Sequence, residues 1–123
     1  MKKAELSRQL AAKNCAPKLL CTFNEDVFPF IIMSETQKLD IMCLRVQLRC
    51  MSEENAFVIG RSKEADYKTL CYPNLSRIHC FILKDGTHYA LYDVSKYGTR
   101  ILSKTKSPRN NTSLKEKIMN IFH

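Results

Sequence analysis

Apolar residues along this chain come in short runs, and their spacing changes near residue 27. Before that point, residues 4–13 are strong helix formers in which Leu6 and Leu10 make a narrow apolar stripe one turn apart. Asn14 and Pro17 then supply a stop, so a short helix is predicted. From residue 27 the texture is that of strands. Val27–Met33 reads as one, with Pro29 placing it at a sheet edge. Within 41–48, Leu44, Val46 and Leu48 alternate with Arg45 and Gln47, which predicts a half-buried strand. Ala56–Ile59 is a short apolar, β-branched run. Ile78–Leu83 and His88–Val94 flank Asp85-Gly86, a strong hairpin signal, and Ile101–Leu102 follow a glycine-containing turn. Residues 103–113 read as a polar loop, and 114–122 fit either a helix or a closing strand. Short strands with no long helical pattern between them predict an all-β fold, a sandwich or small barrel, preceded by a short N-terminal helical or flexible segment. The expected division is an extension over 1–26 and a domain over 27–123.

Composition adds limits rather than detail. A chain of 123 residues suits one domain with one core. Its longest apolar run, Val27–Met33, is far below the roughly 20 residues of a membrane span, so no membrane partner is expected. Lys2-Lys3 is not followed by an apolar core, so no secretory signal is read, and the nucleus or cytoplasm is expected, the nucleus favoured. In that setting the six cysteines are expected as reduced thiols. Cys71, His79, Cys80 and His88 match no zinc spacing, and adjacent residues on a strand face opposite ways, so neither metal nor cofactor is expected. The net charge of +8 is concentrated in residues 96–117, where seven Lys/Arg stand against Glu116. Such a field suits a phosphopeptide, an acidic protein segment or weak nucleic-acid contact, and equally a solvated face.

Three patches carry the candidate chemistry: Val58-Ile59-Gly60-Arg61, Ser76-Arg77-Ile78-His79-Cys80, and Asp93-Val94-Ser95-Lys96-Tyr97-Gly98-Thr99. Each lies at the end of an apolar run, which puts Arg61, Ser76, Arg77 and Lys96 on loops. A guanidinium offers a planar fork of donors matched to phosphate, a serine hydroxyl adds another, and loop N–H groups can add more.

In order and spacing these patches resemble the forkhead-associated (FHA) domain family, whose pattern is Gly-Arg, then Ser-x-x-His, then Asp-x-Ser-x-Asn-Gly-Thr. The resemblance is good over residues 40–102, and Asp66 falls where the family often has an acidic residue. It implies a β-sandwich of two antiparallel sheets whose loops at one end bind phosphothreonine in a partner protein. It implies that Arg61 and Ser76 contact the phosphate, that Arg77 shapes or charges the pocket, and that Lys96 and Tyr97 lie beside the peptide. Gly60, His79, Gly98 and Thr99 would support the site. Ser95–Thr99 is similar to a variant in a family member of the double-strand-break repair complex, which points to DNA-damage or other nuclear signalling.

Two departures stand out. Tyr97 occupies the place of an asparagine that hydrogen-bonds the peptide, and a phenol cannot both donate and accept through separate atoms as a carboxamide does. Residues after Thr99 are too few for the family's closing strands, so the last strand or two are expected to be missing. A degenerate scaffold and a basic nucleic-acid-associated domain therefore remain as alternatives. A catalytic reading would need Ser76, His79 and Asp93 as nucleophile, base and orienter, yet the chain has no nucleophile elbow, phosphate-binding loop or metal motif. No enzymatic activity is expected.

Overall fold

Ala56–Gly60 is buried at all five positions, and the larger of two sheets is assembled around it. The computed structural model describes residues 1–69 and 75–102. In chain order these are helix α1 (Lys3–Ala12), strands β1 (Lys18–Asn24), β2 (Phe30–Ile32) and β3 (Lys38–Asp40), a 3-10 turn (Ile41–Leu44), helix α2 (Arg45–Cys50), then β4 (Ala56–Gly60), β5 (Tyr67–Lys68), β6 (Cys80–Asp85), β7 (His88–Asp93) and β8 (Arg100–Leu102). The larger sheet runs β1-β7-β6-β4-β5 and the smaller one β3-β2-β8. The 114–122 segment, the 103–113 loop, Cys71 and most of the basic 96–117 stretch lie outside the described residues.

Alternation along β4 explains why it is apolar throughout. Phe57 and Ile59 face a core shared with Ile31 and Leu39 of the smaller sheet and with Cys80, Ile82 and Leu91 of the larger one. Ala56 and Val58 face the other way, into a second cluster with Leu6, Leu10, Ile78 and Phe81. A strand covered on both faces loses the polar half of its period-two pattern. The cover on the second face is α1, which sinks Leu6 and Leu10 onto the sheet. Its N-terminal end is tied down as well, because the Met1 amine donates to Ala56 O at 3.1 Å and pairs with the Asp66 carboxylate.

The β6–β7 hairpin forms as the Asp85-Gly86 signal predicts, pairing Asp85 with His88 across Gly86-Thr87. Other expectations need correcting. Residues 41–50 are helical rather than a strand. Ile41, Leu44 and Leu48 are buried at a helical spacing while Val46 is 63% exposed. The Asp40 carboxylate accepts from the Met42 N–H at 3.0 Å and so caps the first turn. The apparent alternation of Leu44, Val46 and Leu48 was a coincidence of two buried helical positions with one exposed one.

The 27–33 run contributes only β2, which lies between β3 and β8 rather than at an edge. Pro29 precedes the strand, where its missing N–H costs nothing, and its carbonyl accepts from Ile41 N. β1 was not predicted. It pairs with β7 through a bulge between Leu19 and Cys21, which breaks its alternation.

Nor are the sheets wholly antiparallel, since β5 pairs parallel to β4 through Ile59–Tyr67 and Gly60–Lys68. The intervening loop doubles back along β4 instead of making a hairpin. Asp66 N donates to Val58 O at 2.8 Å and the Asp66 carboxylate accepts from Val58 N at 2.8 Å.

Candidate functional site

Gly60 is where the site begins, because another segment of backbone crosses it there. A Cβ at this position would lie 2.9 Å from the Arg77 carbonyl carbon, 3.0 Å from His79 N, and closer still to the Arg77 carbonyl oxygen. Only glycine lets the 75–79 loop rest on the end of β4. The loop is then fastened by backbone bonds: Arg61 N to Ser76 O (3.4 Å), Ser62 N to Arg77 O (3.0 Å) and His79 N to Ile59 O (2.9 Å).

His79 holds the loop from inside. Its ring is fully buried, and Nδ1 accepts from the Ser76 N–H at 3.3 Å, so the proton of the neutral ring sits on Nε2. Nε2 meets no partner at hydrogen-bonding geometry among the described residues. Burial pushes the His79 pKa below its ordinary 6.5, against the weaker opposing pulls of Asp93 and Gly98. The unfolded chain therefore takes up this proton first as pH falls. His79's contribution to stability is present in full above about pH 6.5 and declines below it, by up to about 1.4 kcal/mol per pH unit until the folded ring titrates. Melting temperatures between pH 7.5 and 5 should show this fall, and His79→Asn, which keeps an acceptor for Ser76 N, should flatten it. A wild-type profile as flat as the variant's would rule out a neutral buried ring.

The third patch is braced by one carboxylate. Asp93 Oδ1 accepts from Ser95 Oγ (2.7 Å), Thr99 Oγ1 (2.8 Å) and Ser95 N (3.2 Å). Ser95 Oγ in turn accepts from Gly98 N at 2.8 Å, and Gly98 has φ +94°, a conformation that side chains resist. The two loops are joined: Val94 N donates to His79 O at 3.1 Å, and Lys96 N donates to Ser76 Oγ at 3.0 Å. Ser76 Oγ thus accepts from the neighbouring loop while its own proton stays available.

Arg61, Ser76, Arg77 and Lys96 line one depression of about 450 Å³, within the range of ligand sites. Arg61 Nε donates to Leu75 O at 2.6 Å, which aims the guanidinium and leaves its Nη groups for a ligand. No acidic residue lines this depression, and among the described residues none of its cations is paired with a carboxylate. Tyr97 lies elsewhere. It is 68% exposed, with Lys96 Nζ 5.5 Å from its ring centre, and it lines a neighbouring depression with Ile32, Met33 and Arg100. Sequence reasoning missed Lys13 and Asn14, which line the main depression from the end of α1, and gave Asp93 a role only in the catalytic reading. The Asp-x-Ser spacing signals the Asp93 turn, whereas nothing local signals Lys13.

The catalytic alternative is not assembled here. His79 Nδ1 faces the backbone of Ser76 rather than its hydroxyl, and the Asp93 carboxylate is bonded to Ser95 and Thr99. Burial raises the thiol pKa of Cys21 to about 12 and pushes Cys80 higher, so these two behave as core side chains. Among the described residues no metal-ligating cluster forms, and no helix is long and apolar enough to cross a membrane.

The two sheets carry a loop-borne depression whose charged lining residues are all basic, an arrangement that suits an anion-recognising interaction module. The FHA domain family matches residues 57–119, 63 of the 123 in the chain. This chain belongs to the FHA domain family. FHA domains are generally phosphopeptide-binding modules of protein–protein interaction and not enzymes, and they bind phosphothreonine-containing proteins. No curated protein and no solved structure matches the chain.

Proposed function

We propose that this domain binds a phosphothreonine of a partner protein, with Arg61 and Ser76 contacting the phosphate and Arg77 and Lys96 supplying further charge. One observation carries the reading: four cations converge on a depression free of carboxylates, around a serine whose hydroxyl proton remains to be donated. A phosphate carries roughly −1.5 to −2 charge and three acceptor oxygens, and it suits such a site. Gly60, His79, Gly98 and Thr99 hold the loops and do not touch the ligand. Tyr97, beside Lys96, would flank the peptide through its ring face rather than imitate a carboxamide. In this reading the working domain is 27–123 together with the 1–26 extension, whose β1 is hydrogen-bonded to β7 of the larger sheet, and its setting is nuclear or cytoplasmic signalling, DNA damage included.

The test is binding to degenerate peptide libraries carrying phosphothreonine, phosphoserine or unmodified threonine at the fixed position. Selective retention of the phosphothreonine library is expected. Equal binding to all three would remove the reading and leave the degenerate scaffold. Affinity for nucleic acid that falls steeply with salt would point to the basic 96–117 segment instead.

A further inference from the structure

The depression holds more positive charge than one phosphate requires, and part of that charge comes from α1. Lys13, Arg61, Arg77 and Lys96 bring four cations to it, against a phosphate charge of about −2 at most. Lys13 and Asn14 reach the site because of how α1 ends. Asn14 adopts a left-handed φ of +52°, its N–H donates to Ala11 O (3.0 Å), and the Cys15 N–H donates to Leu10 O (2.9 Å). This double closure satisfies the last carbonyls of the helix and turns the chain sharply. It also blunts the negative end of the helix, which would otherwise repel an anion.

The turn is anchored on both sides. Leu6 and Leu10 are buried against Val58 and Phe81, and Cys15 Sγ reaches Val94 O at 3.7 Å. The Lys13 and Asn14 side chains are themselves exposed, so they do not serve the core. Lys13 has no carboxylate partner among the described residues.

We infer that Lys13 and Asn14 bind a second anionic group beside the phosphothreonine, an acidic side chain or a second phosphorylated residue on the same peptide. This rests on the proposed phosphothreonine reading and adds the ligand class to it. Lys13 supplies the charge and the Asn14 carboxamide supplies N–H donors to the same group or to the adjoining peptide carbonyl. The helix that covers β4 is thus also a wall of the binding site.

The test uses the full chain and four peptides: phosphothreonine flanked by alanines, by glutamates or by phosphoserine, and unmodified threonine flanked by glutamates. Fluorescence anisotropy should show the glutamate-flanked phosphopeptide bound about fourfold more tightly than the alanine-flanked one, the scale of a solvent-exposed ion pair. Lys13→Ala should bring that ratio close to one while phosphothreonine is still preferred over threonine. Asn14→Gly, which preserves the left-handed turn, should reduce the ratio partly. Melting temperatures of both variants should match the wild type. Tighter binding of the phosphoserine-flanked peptide alone also supports the inference and identifies the second group as a phosphate. Equal wild-type affinity for all three phosphopeptides, or an undiminished preference in Lys13→Ala, overturns it while phosphothreonine recognition stands. Loss of discrimination between phosphothreonine and threonine in the wild type overturns both.

Discussion

Arg61→Ala should weaken phosphothreonine-peptide binding by at least about a hundredfold, since losing two charge-assisted bonds to a phosphate costs on the order of 3 kcal/mol. Arg61 is exposed and its Nε is held by Leu75 O, so its Nη groups are already oriented when a peptide arrives. Alanine removes both the charge and that orientation. Stability should fall by no more than about 1 kcal/mol, the scale of one side-chain hydrogen bond, because the side chain is exposed and its bond to Leu75 O is the one lost. A melting curve on the same sample checks this. Arg61→Lys separates the two contributions. It keeps a point charge but loses the fork and the Leu75 anchor, so an affinity between those of Arg61→Ala and the wild type is expected. Isothermal titration with one phosphothreonine peptide decides the matter. If Arg61→Ala binds as the wild type does, the phosphate does not sit in this depression.

Gly60→Ala should act on folding first. The added carbon has backbone on two sides, the Arg77 carbonyl and the His79 amide, and backbone cannot rotate away as a side chain can. Relief requires lifting the 75–79 loop from β4 and stretching the bonds from Arg61 N, Ser62 N and His79 N. The cost should reach about 3 kcal/mol, the upper end of overpacking penalties, which corresponds to a fall in Tm of roughly 10 °C for a domain of this size. Denaturant unfolding would give it directly. Phosphopeptide binding should fall as well, even below the melting transition, because the displaced loop carries Ser76. A variant with unchanged stability would mean that the loop does not rest on β4 as described.

Sequence reading succeeded where structure is local or where several short motifs must agree. The β6–β7 hairpin follows from Asp85-Gly86, and the end of α1 follows from Asn14. The Gly60-Arg61, Ser76–His79 and Asp93–Thr99 segments meet because each sits at the same end of a strand of the larger sheet, and hydrogen bonds join them there. It failed where tertiary contact sets the pattern. At 41–50 the choice between helix and strand depends on which residues meet the core, and Ile41 and Leu48 decide it from positions that local alternation cannot weigh. β1 escaped notice because its bulge shifts the alternation in mid-strand. The uninterrupted apolar run of β4 did hold a legible clue, since it implies a cover on each face. What it could not say was that the second cover would be α1, and hence that Lys13 would reach the pocket. Two elements distant in sequence had to be placed on one strand before those residues became neighbours.

The tie between the two loops has a consequence for the energetics of recognition. Ser76 Oγ is already fixed by the Lys96 N–H, its backbone by His79, and the 93–99 loop by Asp93. The entropy of ordering these donors is therefore lost when the chain folds rather than when the peptide arrives. Affinity in a site so prepared derives from preorganisation more than from buried area. On the proposed phosphothreonine reading a small contact footprint is then enough, and a partner needs to present only a short extended segment around its phosphate.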